Sequence, residues 1–242
     1  KEKPKRSIWT WGFQKDEPSN QQRKHHAAAL SNRLGLEIEA PPIPLAADLE
    51  LRGARIDVPS KLQPFCFTDN YERALHSYGA EKELAAMGEF PNPPDVVAHP
   101  RNEKDLERIL EWCDSNHFVT IPYGGGSSVV GGVTPPADLG PIVTVDMDQF
   151  DQVVEVDDIS RAARIQAGIY GPHLENQLRE SGHTLRHYPQ SFVESTLGGW
   201  IATRSGGHYA TNHTHIDDFV ESVRMLTVSG WWESRRLPGS GA

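Results

Sequence analysis

Only two cysteines, Cys66 and Cys113, occur among the 242 residues, and neither sits in a CxxC or Cys/His spacing. That shortage excludes a disulfide scaffold and favours a reducing compartment, so a cytoplasmic location is expected. No run approaches the ~20 apolar residues of a membrane span. No apolar stretch follows the basic residues at the start, so no secretory signal is expected. Positive charge is the minority: 24 basic residues face 33 acidic ones, a net charge of −9. A nucleic-acid backbone is therefore not an expected partner. The one basic cluster, the opening KEKPKR, reads as a solvated tail. An initiating Met is missing too, and the closing LPGSGA reads as an unfinished loop, so a fragment of a longer protein is expected.

What is present is ordinary for a globular chain: 37% hydrophobic and 24% charged residues, enough for one large domain or two small ones. Residues 1–90 read as a helical and irregular segment. They carry a helix over Asn20 to Leu34 and then the proline-rich APPIPLAADLEL. Ile8, Trp9, Trp11 and Phe13 read as a hydrophobic anchor rather than a ligand-stacking surface. Residues 91–242 alternate. Asp95 to Ala98 is a short apolar strand, and Asn102 caps a helix whose Leu106, Ile109, Leu110 and Cys113 fall at helical spacing. Strands are expected over Phe118 to Ile121, Ile142 to Val145, Val153 to Val156, Ala162 to Ala167 and Phe219 to Val228. Ser229-Gly230 then turns into WWES. A helix over Pro172 to Glu180 stops at Gly182. This order predicts an α+β fold with a mixed sheet.

The most informative stretch is IPYGGGSSVVGGV, Ile121 to Val133. Glycine serves where the backbone takes φ > 0 or closely approaches another group. Successive N–H groups in such a turn can bind an anion without a basic side chain, and a pyrophosphate is a natural occupant. No Lys lies between Val119 and Ile142, which excludes a Walker loop. From Gly124 the third Rossmann glycine position is Val129, which excludes that fingerprint and a kinase loop alike. A glycine hinge without ligand is the bland alternative.

A second loop, PQSFVESTLGG followed by WIATRSGG, offers amides and the hydroxyls of Ser191, Ser195, Thr196, Thr203 and Ser205. Two such loops suit a long ligand with several polar sections, such as a dinucleotide with a planar redox ring. Leu197, Trp200 and Ile201 are candidates to pack on its faces.

FPNPPDVVAHP, IPYGGGSSVVGG, QAGIYGPHLENQL, PQSFVESTLGGWIATRSGG and HIDDFVESVRMLTVSG, in that order, resemble the vanillyl-alcohol oxidase and p-cresol methylhydroxylase type of FAD-binding domain. Within it, the chain is most similar to the alkyldihydroxyacetonephosphate synthases and bacterial FAD-linked oxidases. The resemblance implies a two-lobed FAD-binding domain behind a partly helical N-terminal segment, with the cap domain absent. It implies that Pro122, Tyr123, Gly124, Gly125, Gly126, Ser127 and Ser128 line the pyrophosphate. Gln190, Ser191, Phe192, Val193, Glu194, Ser195 and Thr196 would contact the flavin and its ribityl chain, as would Thr203, Arg204, Ser205 and Gly206. The synthases carry Asp where this chain has Gln190, a departure that bears on substrate more than on FAD. In berberine-bridge-type oxidases a string like RSGGH carries a histidine bonded to the flavin, but there it is the pyrophosphate loop. Here Ser127 stands in that place, so a non-covalent FAD is implied and His208 is incidental.

The synthase resemblance implies exchange of the acyl group of acyl-dihydroxyacetone phosphate for a fatty alcohol, with FAD as electron sink and no net redox. The catalytic groups would lie beyond residue 242. A small-molecule or lipid-like substrate, a homodimer, and a peroxisomal location for a eukaryotic synthase are the attendant expectations. An FAD-linked oxidase or dehydrogenase of a 2-hydroxy acid, and a non-catalytic flavin-binding fragment, are the alternatives. His187 reads as a satisfied loop histidine and Glu194 as a residue that shapes its loop. Arg235 and Arg236 read as solvated. His208, His213 and His215 do not form a known ligand spacing, so no metal is expected.

Overall fold

The structure, a computed structural model, describes residues 4–10, 12–40, 42–208 and 215–234. Helix α1 (Asn20–Leu34) begins where Ser19 and Gln22 cap each other reciprocally and ends at Gly35, whose φ of 65° suits a residue without Cβ. Strand β1 (Cys66–Phe67), helix α2 (Asn70–Leu75) and the single-turn α3 (Glu83–Ala86) follow. Strand β2 (Val96–Ala98) leads into α4 (Glu103–Asn116), where the Asn102 side chain accepts the Asp105 amide as the sequence predicts. Strands β3 (Val119–Tyr123), β4 (Ile142–Asp146), β5 (Val153–Asp157) and β6 (Ala162–Ile165) come next. They precede α5 (Gly171–Glu180), α6 (Leu197–Thr203) and the hairpin of β7 (Arg224–Thr227) and β8 (Gly230–Glu233).

The main sheet has the order β1-β2-β4-β3, with β1 antiparallel to β2 and the other pairs parallel. It is mixed, as expected. Central β4 is buried at every position, which is why Ile142, Val143 and Val145 form an almost unbroken apolar run. On one face, Leu62, Phe65 and Cys66 join Val96, Ile109 and Cys113 in one core. That core, like the sheet, runs across residue 90, so residues 1–90 do not form a separate layer. The two cysteines, distant in sequence, meet there as buried free thiols. A second core joins α5 and α6 through Leu174, Leu178, Leu197 and Trp200. A third gathers Ile8, Leu49, Leu75 and Phe90, with Trp9 edge-on to Phe90 at 6.2 Å. Ile8 and Trp9 are thus an anchor; Trp11 lies outside the described residues.

Four expectations need correction. Lys5 and Arg6 at the end of KEKPKR do not belong to a free tail: Ser7 N donates to Gly12 O and Gln14 N to Lys5 O, both at 2.9 Å, and Arg6 is drawn inward by a buried carboxylate. Strand β3 continues through Pro122 to Tyr123, which is tolerated because β3 is an edge strand and one side of its ladder needs no donor. Strand β6 stops at Ile165 rather than Ala167. The strand expected over Phe219 to Val228 is confined to Arg224–Thr227, because Ile216–Phe219 forms a 3-10 turn that buries Ile216. No helix is long and apolar enough to cross a membrane among the described residues.

Candidate functional site

The glycine loop leaves the end of β3 and meets the second loop directly. A Cβ on Gly124 would run into Thr196 Oγ1, and one on Gly125 into the carbonyl of Glu194. Gly126 has φ +68°, the left-handed region that glycine adopts without strain, and sits against the Tyr123 hydroxyl. Two of these glycines therefore serve the contact between loops, and the third serves the turn. Among the described residues, no backbone acceptor takes the N–H groups of Gly125, Gly126, Ser127 or Ser128. A run of free amides in a turn is an anion cradle.

Beside it opens a small cleft of about 30 Å³, partly open to solvent. Its walls include Gly125, Gly126 and Ser127 from the first loop, Glu194 from the second, Tyr170 from the start of α5, and Arg6, Thr10 and Phe13 from the N-terminal turn. Leu75 and Lys82 close it from the α2–α3 side. Residues 79 and 80 lie on the glycine loop itself: the Ala80 amide donates to Ser128 O at 2.7 Å, and Gly79 leaves no room for a Cβ there.

Arg6 is the polar centre of this junction. It is paired with the fully buried Asp146 at the end of β4, and donates to Gly124 O and to the Tyr170 hydroxyl, each at 3.2 Å. His76 Nε2 shares Asp146 at 2.9 Å, and the Tyr71 hydroxyl donates to Arg6 O. Burial opposes both charges, but Arg6 and then His76 hold the Asp146 carboxyl well below its ordinary range. The Arg6 guanidinium is held charged in turn, chiefly by Asp146. Burial, and secondarily Arg6, lowers the Lys82 ammonium to about 8. Burial raises the pKa of the Glu194 carboxyl.

The other residues singled out from sequence are distributed unevenly. Tyr123 is buried with its ring 4.3 Å from that of His76, so it wedges the loop from beneath. Pro122 is exposed, and Ser128 is tied to Ala80 and Gly132. Gln190, Ser191, Phe192 and Val193 form a tight turn outside the cleft. Ser195 donates to Ser191 O and accepts the Trp200 indole N–H, both at 2.6 Å, while Thr196 caps α6. Thr203 donates to Gly199 O, Arg204 pairs with Asp217, and Ser205 bonds His187 at 2.8 Å. Gly206 bridges to His215. None of these last four lines the cleft. Leu197 and Trp200 are core residues of the second lobe, so they are not available to pack on a flavin face. His187 is buried and bonds Ser205 through Nε2. His213, Arg235 and Arg236 lie outside the described residues.

Sequence reasoning passed over Arg6, Lys82 and Tyr170, and with them the premise that no basic side chain attends the loop. Arg6 did leave a signal, a cation immediately before the anchor that pins it. A cluster of Glu72, His76, His99, Asp146 and Asp148 lies behind the loop, with ligand-type atoms close together. His99, however, gives both ring nitrogens to carboxylates, Asp148 at 2.8 Å and Glu72 at 3.1 Å. Burial alone would lower its pKa, yet those two partners raise it to about 10. The ring is therefore a cation, the opposite of what a metal ligand requires.

A glycine-rich amide cradle, a second loop locked against it and a mixed sheet beneath define a cofactor-binding domain. The FAD binding domain family matches residues 94–233, and the chain belongs to it. It is 38% identical over 177 residues to the alkyldihydroxyacetonephosphate synthase of Dictyostelium discoideum, covering 72% of this chain and 29% of that protein. To YgcU of Escherichia coli strain K12, an uncharacterized FAD-linked oxidoreductase, it is 30% identical over 58% of this chain and 28% of the relative. A solved structure of alkyldihydroxyacetonephosphate synthase superposes with a TM-score of 0.75 at 32% identity, over 81% of this chain and 39% of that one. The chain thus spans under a third of these two curated relatives.

Proposed function

We propose that this chain is the FAD-binding part of an enzyme of the alkyldihydroxyacetonephosphate synthase type. Such an enzyme would exchange the acyl group of acyl-dihydroxyacetone phosphate for a fatty alcohol. The reading is carried by one observation: the free amides of Gly125, Gly126 and Ser127 line the same cleft as the cationic side chains of Arg6 and Lys82, surroundings that suit an anionic group such as a diphosphate. Sequence identity favours the synthase relatives over the FAD-linked oxidoreductase.

The residues present fit the cofactor. Gly125, Gly126 and Ser127 would form the pyrophosphate side, with Glu194 on the facing wall of the cleft; a ribityl and ring side from Gln190 to Val193 and Thr203 to Gly206, which do not line the cleft, rests on the family resemblance alone. Bound FAD would supply an electron sink beside the substrate carbonyl. The chain's own contribution is to bind and orient. Gly124 and Gly125 let the two loops close, Tyr123 sets the turn from beneath, and Arg6 fastens the N-terminal turn to Gly124. Glu194 stands at the rim of the cleft, its pKa raised by burial.

FAD would be held without a covalent bond, since Ser127 stands where berberine-bridge-type oxidases carry the flavin-linked histidine, and a hydroxyl is a weaker nucleophile than an imidazole. Acid precipitation of the purified chain tests this together with the cofactor itself. Yellow supernatant is the expected result. A yellow pellet would overturn the non-covalent assignment, and colourless protein that takes up no added FAD would overturn the whole reading.

A further inference from the structure

The two cations of the cleft are not equivalent. Arg6 is balanced by Asp146, a carboxylate with no solvent exposure. Lys82, half-buried at the start of α3, has no ion pair or side-chain hydrogen bond among the described residues. A desolvated cation without a counter-ion is unfavourable unless a ligand compensates it. Its position is not accidental, because the Ala80–Ser128 hydrogen bond and the missing Cβ of Gly79 lay residues 79 and 80, just before Lys82, on the glycine loop.

We propose that Lys82 supplies the positive charge that holds the diphosphate of the dinucleotide flavin against Gly125, Gly126 and Ser127. The inference rests on the FAD reading above and adds to it a residue outside both glycine-rich loops and outside residues 94–233. A cradle of neutral amides orients an anion but carries only partial charges, and the net charge must come from elsewhere. The other titratable groups facing the cleft do not supply it. Glu194 is acidic, Tyr123 and Tyr170 are buried phenols with raised pKa values, and Arg6 is already compensated.

A pH signature follows. Lys82 in the free protein titrates near 8, and a bound diphosphate would raise that value. Affinity is then full below about 8 and falls as pH rises through it, by up to about tenfold per unit.

The experiment is a titration of the flavin-free 242-residue chain with FAD, followed by flavin fluorescence between about pH 6.5 and 10. Wild type is compared with K82Q and K82R, and thermal unfolding without FAD confirms that each variant is folded. K82Q should bind FAD on the order of tenfold to a hundredfold more weakly, the worth of one charge-assisted hydrogen bond, and lose the pH dependence near 8. K82R should keep most of the affinity yet also be flat, because a guanidinium does not titrate in that range. A K82Q profile identical to wild type, or a K82R profile that still falls near 8, overturns the inference alone. Wild-type protein that takes up no FAD at any pH removes the FAD reading and this inference with it.

Discussion

The main-chain carbonyl of Glu194 occupies the space where a side chain on Gly125 would begin. The glycine loop and the second loop are therefore one packed unit before any ligand arrives. This changes what a substitution at Gly125 measures. G125V should destabilise the flavin-free protein by about 2 kcal/mol or more, the ordinary cost of overpacking against backbone. Urea unfolding without FAD reads this directly. An unchanged midpoint would mean that the loops separate freely and that Gly125 matters only to the ligand.

Ser195 should behave as a structural residue. Its hydroxyl receives the indole N–H of Trp200, which is 2% exposed. S195A leaves that buried donor unpaired, at about 1–3 kcal/mol. Loss of flavin-free stability, with a shift in tryptophan fluorescence, is expected. Weaker FAD binding at wild-type stability would instead place the hydroxyl on the cofactor.

Asp95 latches residues 52–55 to the sheet. Its buried carboxylate accepts from Arg52 and Arg55 side chains at 2.7 Å each, and from the Ile142 amide at 2.8 Å. Although burial opposes the charge, these donors hold its pKa well below the ordinary carboxylate range. D95N should cost about 3 kcal/mol, as removal of one partner from a buried pair does. Hydrogen exchange should quicken first at Arg55 and Ile142. Stability within about 0.5 kcal/mol of wild type would show that the latch is dispensable.

His99 should make stability fall in alkali. Its folded-state pKa, about 10, lies above the ordinary value of 6.5, because Asp148 and Glu72 outweigh burial. A raised pKa contributes stability that is complete below about 6.5 and is lost as pH rises toward 10. The unfolding free energy of wild type from urea titrations should therefore decline across that window, by up to about 5 kcal/mol. H99Q, which lacks the titrating ring, should be less stable at neutral pH and show a flatter profile. Parallel profiles for the two proteins would refute the clamp.

Much of the scaffold was legible because its signals are local. The Asn102 cap and the apolar spacing after it define α4, and the nearly continuous apolar run of β4, broken only by Thr144 before Asp146, marks a strand covered on both faces. The strand expected from Phe219 failed because burial of Ile216 bends that segment into a 3-10 turn, a long-range effect with no local trace. Trp200 and Leu197 misled in a similar way. An apolar residue next to a ligand loop looks the same in sequence whether it faces the ligand or the core behind it.

By itself, the sequence determined where the backbone of this loop turns and where it comes close to another segment, because φ freedom and absent side chains are properties of the residue type. It likewise determined the order of helices and strands that present the cradle. Only the tertiary structure decided which charges attend it. Arg6 and Lys82 lie far from the loop along the chain, and Asp146 is buried at the end of another strand. Electrostatic pairing acts through space, so no spacing along the chain records it.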